Sequence, residues 1–376
     1  MKRLIAAVFS LINACVPKDP RRVVFCSFPD YSDNARAVYE ELMRKQAYTK
    51  YRLVWLIKTD ELPELPHTRC VRLHSLRGMW QYFRAKYVFH THGLFHNRPS
   101  ARQVTVSLWH GMPLKTIMKL DATHPENEVF RFTYCLATSP LFQQIMTKAF
   151  GCEESQCLIT GQPRNDALFA SSDILAQMGI DRAAYDHLFL WMPTYRQSAV
   201  GDVRVDGNGG SEQGVAFLTS EQLDELNALL AAQNSLLLIK LHPMQVPVAA
   251  ETKTFSHMRL LRQVPGQLYH LVGQADALLT DCSSVYIDYL MLDRPIGFVF
   301  DDMEQYQSNR GFVFEHPLEY MPGPCIGDYA SLAAFLQDTA AGKDAYAPER
   351  RRVNEQFNTY CDNGSSDRLL KEVLPL

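Results

Sequence analysis

The sequence predicts an α/β protein of two lobes, each a mostly parallel sheet covered on both faces by helices. Three observations predict it. Short apolar runs of strand length alternate with stretches of helical spacing, a pattern that implies parallel strands joined by crossover helices. The alternation runs through the first half, pauses in a polar interval at about residues 165–185, and resumes. The length of 376 residues is long for one hydrophobic core and comfortable for two domains of ordinary size.

The elements follow in order. Leu4 to Val16 is a mostly apolar run between Met1-Lys2-Arg3 and Lys18, Arg21 and Arg22. It is too short to span a bilayer as a helix, and no small-residue cleavage site follows it. Residues 1–20 are therefore expected to form an amphipathic helix on the inner membrane surface, its basic flanks facing anionic lipid; packing on the protein's own surface is the alternative. The first lobe, 21–175, has strands at Arg22–Phe28, Leu53–Ile57, Arg69–Leu73, Tyr87–His90, Gln103–Leu108, Arg131–Leu136 and Cys157–Ile159. Helices are expected at Ala35–Lys45, Leu76–Ala85 and Pro140–Phe150.

The second lobe, 176–345, repeats the scheme. Leu188–Met192, Ser235–Leu241, Ala275–Leu279 and Ile296–Phe300 read as strands, and Glu221–Gln233, Leu268–Gln274 and Val285–Leu292 as helices. Val200 to Gly214 is Gly-rich and polar, the signature of a mobile loop. Helices close the sequence at about 329–341 and 347–360, the tail 346–376 crossing back toward the first lobe.

Composition narrows the function. Hydrophobic residues make up 47% and charged residues 21%, the balance of a folded chain. A net charge of -3 argues against a general nucleic-acid binder. The nine cysteines are scattered, without a CxxC pair or a His cluster at ligand spacing, and read as reduced thiols in a cytoplasmic protein; no metal or other cofactor is expected. A Walker loop, a GxSxG elbow and an HExxH helix are all missing from the sequence.

Strand ends carry the chemistry, because active sites of parallel sheets sit at the carboxyl ends of the strands. Trp109-His110-Gly111-Met112-Pro113-Leu114-Lys115 follows one strand, and Thr160 to Asp166, with Arg164, follows another. In the second half Pro193-Thr194, Lys240-Leu241-His242 and Thr280-Asp281-Cys282-Ser283-Ser284 stand in equivalent places. Ser283 and Ser284 open a helix, where unpaired backbone N–H groups and the helix dipole suit an anion as well as an ordinary cap. One His per lobe, several cations and a hydroxyl-bearing helix start suit a phosphate-bearing donor held in a cleft. A histidine titrates near working pH and can act as general base toward an acceptor hydroxyl.

These blocks, with Tyr31-Ser32-Asp33-Asn34, Met192-Pro193-Thr194-Tyr195-Arg196, Arg294-Pro295-Ile296 and Arg310-Gly311-Phe312, resemble the CDP-glycerol glycerophosphotransferases, the teichoic acid primase and polymerase family. The match runs in order from about residue 22 to 360. The resemblance implies a GT-B-like fold of two Rossmann-like lobes, the second holding the cytidine diphosphate of the donor and the first serving the acceptor. It implies CDP-glycerol contacts from His110, Gly111, Met112, Pro113, Leu114, Arg164, Pro193, Thr194, Lys240, Leu241, His242, Ser283, Ser284 and Asp288, with His110 and His242 as the essential histidines. The implied reaction moves glycerol phosphate to a hydroxyl of a lipid-linked sugar or growing anionic polymer of teichoic acid or capsule type, releasing CMP, at the cytoplasmic face of the membrane.

Other donors, such as CDP-ribitol or a nucleotide sugar, are the nearest alternatives, and a non-catalytic scaffold of polymer assembly is a more distant one. Two features depart from the family pattern. Met112 stands where many members have Thr, and His90, His92 and His96 make an unusually His-rich stretch, expected to be exposed or structural. The length is close to a minimal catalytic one, which favours a primase-like or capsule-assembly member.

Overall fold

The computed structural model describes residues 2–95, 98–121, 130–193, 217–241, 253–300 and 311–375, with side chains from residue 6. His96, Thr194, Tyr195, Arg196, the Gly-rich stretch 200–214, His242 and Arg310 lie outside the described residues. The chain forms two compact units, one of Met1–Met112, Met118–Phe169 and Phe357–Leu376, the other of Pro113–Ile117 and Ala170–Gln356.

The first unit is built on seven strands: β1 (Asp19–Cys26), β2 (Arg52–Ile57), β3 (Thr68–Arg72), β4 (Ala85–His90), β5 (Val104–Ser107), β6 (Tyr134–Ala137) and β7 (Cys157–Ile159). All pair in parallel, in the order β3-β2-β1-β4-β5-β6-β7. Chain order reverses between β1 and β4, so the topological switch point lies where those two strands end. Register brings the ends level: Cys26 pairs with His90, His90 with Ser107, and Ser107 with Cys135. The segments that follow, including Thr91-His92 and Trp109-His110, therefore leave from one edge.

Alternate residues of each strand point to opposite faces. Val23, Phe25, Trp55 and Phe89 pack beneath Ala35, Val38, Tyr39 and Leu42 of α2 (Asp33–Arg44). Val24, Cys26, Val54 and Leu56 meet Tyr82 and Phe83 of α3 (Leu76–Arg84) on the other side. The helix α4 (Pro140–Phe150) starts on Ser139, whose hydroxyl accepts from Phe142 N–H, and stops at Gly151 with φ 62°.

The first helix, α1 (Lys2–Cys15), packs on this unit. Phe9 packs at a tilt against Phe83 and Phe95, with ring centroids 4.6 and 5.2 Å apart, and the buried Asn13 donates to Gln103 Oε1 at 2.8 Å. The opposite face exposes Val8, Leu11 and Ile12 at 50, 66 and 44%. Among the described residues no helix is long and apolar enough to cross a membrane.

The second unit has six parallel strands: β8 (His187–Trp191), β9 (Ser235–Lys240), β10 (Met258–Leu261), β11 (Ala277–Thr280), β12 (Ile296–Val299) and β13 (Cys325–Ile326), ordered β10-β9-β8-β11-β12-β13. Its switch point falls between β8 and β11. Phe189, Trp191, Leu237 and Ile239 pack with Leu223, Leu226 and Leu230 of α6 (Ser220–Ala232) and with Leu332 and Leu336 of α9 (Tyr329–Ala340). Shorter helices are α5 (Ile174–Gln177), α7 (Leu268–Val272) and α8 (Val285–Tyr289). After α10 (Ala347–Phe357), α11 (Ser365–Val373) inserts Leu369, Leu370 and Val373 into the first unit's core.

Several elements differ from expectation. The first strand begins earlier, at Asp19, where the Asp19 carboxylate pairs with Arg22 and with Arg52 at the start of β2. Helical spacing through Leu292 resolves into α8 and a tight 3-10 turn, Leu290–Leu292, capped by Asp293 at φ 50°. Edge strands β10 and β13 had no counterpart in the pattern, since four and two residues show no clear period.

Candidate active site

At the switch point of the first sheet, Asn34 is wholly buried and acts as the hub. Its amide N–H groups donate to the carbonyls of Leu108 and Trp109, at 3.1 and 3.2 Å, and to Gln162 Oε1 at 2.6 Å. Its own Oδ1 accepts from the Arg164 backbone N–H at 3.0 Å. One side chain at the start of α2 thereby ties the segment after β5 to the turn after β7.

Arg164 finishes the tie. Its guanidinium donates to Asp33 Oδ1 and to the His110 carbonyl, both at 2.9 Å, with the arginine largely buried. Trp109 takes φ 51° and Gly111 φ 134°, a left-handed bend that a side chain at Gly111 would strain. The bend sends Met112, Pro113 and Leu114 inward and leaves the His110 ring exposed. Trp109 lies 4.2 Å from the His110 ring and packs edge-on against Phe150 of α4 at 5.1 Å.

Surrounding protein lowers the His110 pKa below the ordinary histidine range. Arg164 acts in the same direction, while Asp33 and the Thr91 carbonyl oppose it. A histidine so held is neutral near pH 7, the state a general base needs.

In the second sheet the strand ends carry Pro193 after β8, Lys240 at the end of β9 and Asp281 to Ser284 after β11. Thr280 Oγ1 donates to the Met192 carbonyl at 3.1 Å, joining the β8 and β11 ends at the switch point. Ser283 and Ser284 are half-buried, and their carbonyls accept from Tyr286 and Ile287 as the short α8 begins. Lys240 Nζ donates to the carbonyls of Leu241 and Arg262, and burial, then Arg262, lowers its pKa. No group of His, Cys, Asp or Glu among the described residues is arranged to hold a metal ion.

The profile of the CDP-glycerol:poly(glycerophosphate) glycerophosphotransferase family matches residues 8–375. The chain belongs to that family. It is thus a transferase with the family's two-sheet, GT-B-like α/β fold. It is 25% identical to the teichoic acid ribitol-phosphate primase of Bacillus spizizenii, over 98% of this chain and 95% of that one. Against the teichoic acid glycerol-phosphate transferase of Staphylococcus aureus the identity is 25%, over 91% and 90%. Among solved structures, the wall teichoic acid polymerase TagF superimposes with a TM-score of 0.78 at 22% identity, covering 99% of this chain and 93% of that one.

In this glycerophosphotransferase the residues expected at the site fall into two sets. His110, Gly111, Met112 and Arg164 belong to the first unit; Pro113 and Leu114 belong to the second, where Pro193, Lys240, Leu241, Ser283 and Ser284 end or follow strands. Asp288 is wholly buried and accepts a short hydrogen bond from the Tyr269 hydroxyl of α7, so any service to a ligand runs through the floor of the turn. Met112 and Leu114 are core side chains, leaving their backbone as the part able to meet a ligand. Arg164 already spans Asp33 and His110, which gives it a task in holding the histidine.

Asn34, Asp33 and Gln162 hold the segments on either side of His110 and Arg164, and the strand-end pattern did not single them out. Their signal was a polar residue inside a quoted block, Asp33-Asn34 or Gly161-Gln162, whose partner lies more than 120 residues away. The histidine-rich stretch also divides: His90 is buried, whereas His92 stacks on His110.

Proposed function

We propose that the chain transfers glycerol phosphate from CDP-glycerol to a hydroxyl of a polymeric or lipid-linked acceptor, with His110 as general base. The observation that carries this reading is His110 itself, an exposed imidazole held neutral at a switch point by a buried Asn34–Gln162–Arg164 frame. The acceptor O–H gives its proton to the ring, its oxygen bonds to the β-phosphorus, and the bond from that phosphorus to the CMP oxygen breaks. Ser283, Ser284, Arg164 and His242 serve the donor phosphates, whose negative charge suits hydroxyls, cations and helix-start amides. Relatives named for glycerol-phosphate transfer and polymerisation support the donor. The exposed Val8, Leu11 and Ile12 face of α1 supports contact with the inner membrane surface, where a lipid-linked acceptor is met.

A donor panel tests the chemistry. Incubation with CDP-glycerol releases CMP; release of CDP, or turnover of a nucleotide sugar alone, refutes the reading. CDP-ribitol belongs in the same panel, because one relative is named as a ribitol-phosphate primase. His110→Ala abolishes transfer and leaves CDP-glycerol binding in place, so unimpaired turnover removes the base role from His110.

A further inference from the structure

Strand β4 ends at the switch point on His90, and Thr91 and His92 follow; the chemistry above uses only the carbonyl of Thr91. That carbonyl lies on the side of the His110 ring where it favours the protonated form. The Thr91 hydroxyl lies 2.9 Å from His92 Nδ1 and accepts the Phe28 backbone N–H at 3.3 Å. After accepting from Phe28 the hydroxyl still has its own proton to give, and giving it to His92 Nδ1 would make that nitrogen an acceptor and His92 the neutral Nε2–H tautomer. The His92 ring then covers one face of His110, with centroids 4.6 Å apart and planes within 5°. Phe28 stands edge-on to the His92 ring at 5.6 Å, and Lys58 Nζ sits 4.7 Å above the Phe28 ring.

We infer that Thr91 and His92 are positioning residues for His110: the Thr91 carbonyl holds its proton-bearing nitrogen, and the neutral His92 ring shields its face. The other His110 nitrogen is left as a lone pair for the acceptor hydroxyl. A ring N–H anchored on an oxygen fixes tautomer and orientation together, as second-shell partners of catalytic histidines do. The shield works only while His92 is uncharged, since two stacked cations repel. Burial comes first in keeping it so, and His110, Lys58 at the end of β2, and His90 on β4 act with it to bring His92 down to about 4. Asp33 on α2 opposes them, and Arg164 acts on His110 in the lowering direction.

The inference rests on His110 being the base, and the test separates the two. Long-range proton–nitrogen NMR of the intact protein reads tautomer and pKa for each ring without turnover, and kcat/KM for CDP-glycerol is measured from pH 5.5 to 9. In the unaltered protein His92 stays the neutral Nε2–H form down to about pH 5; a His92 that protonates together with His110 overturns the inference. His92→Phe, which keeps a flat ring, leaves the His110 titration and the acidic limb where they are. His92→Ala admits water and raises the His110 pKa by about one unit, so the acidic limb moves up and kcat/KM falls roughly two- to fivefold at pH 6 but little at pH 8.5. Equal losses in both variants with no movement of the limb overturn the positioning role, and a dead His92→Phe would assign His92 chemistry of its own. Normal turnover in His110→Ala with these NMR shifts intact removes the base reading and leaves the positioning geometry standing.

Discussion

Asn34 makes four hydrogen bonds without meeting solvent. Replacing it with Ala strands two carbonyls, the Gln162 side chain and the Arg164 N–H in a buried place, at a cost of about 3 kcal/mol. Asn34→Ala therefore lowers the denaturant midpoint of the first unit's transition, and transfer falls further than stability because the His110 bend loses its tie. Denaturation followed by the fluorescence of Trp55, beside the parallel kinetic assay, checks both. His110 and Arg164 were legible in the sequence because each stands just after a run of strand period, where topology puts chemistry. Asn34 and Gln162 were not, since their value lies in one another and local pattern carries no information across 128 residues. His92 was hidden in another way: nothing in a His-rich run tells a stacked ring from a packed one.

At the scale of the element, the turn Pro163–Leu168 has two jobs on opposite sides. Arg164 faces the His110 bend, while the Asp166 carboxylate accepts the backbone N–H groups of Ser365 and Ser366, at 2.8 and 2.9 Å, where α11 begins. Those are the orphan donors of a helix start, satisfied here from another segment. Burial pushes the Asp166 pKa upward, and the bonds from Ser366 and Ser365 draw it back. Asp166→Ala removes the cap and costs about 2 kcal/mol, with faster amide exchange at residues 365–373 as the local sign. The long strands and helices were foreseen from their periods alone. The capping of α11 from residue 166 was not, because a cap supplied from outside the helix leaves no trace in the helix's own sequence.

For the whole molecule, buried neutral imidazoles set a dependence on acidity. Burial brings His90 to about 4, whereas the unfolded side chain titrates near 6.5, so between those values the unfolded chain binds more protons than the folded one. Stability is then full above pH 6.5 and is lost as pH falls toward 4. His90 alone accounts for about 2 kcal/mol between pH 7.5 and 5, and His92 and His110 shift in the same direction. Denaturant midpoints of the first unit taken at these two pH values should differ accordingly, and His90→Gln should flatten the difference; an unchanged slope in that variant would show that other groups dominate.

The placement of α11 in the first unit's core has a consequence for biosynthesis. Leu369, Leu370 and Val373 complete a core begun by Val23 and Phe25, and nearly all of the second unit, Ala170–Gln356, is translated in between. At about 5–20 residues per second, the stretch from Phe169 to Phe357 takes roughly 10 to 40 s. For that interval the nascent first sheet has an uncovered apolar face, and the turn bearing Arg164 lacks the helix it caps. Ribosome-bound chains halted near residue 360 would thus carry an incomplete first unit and draw chaperones to it, so that the second unit reaches its native form before the first.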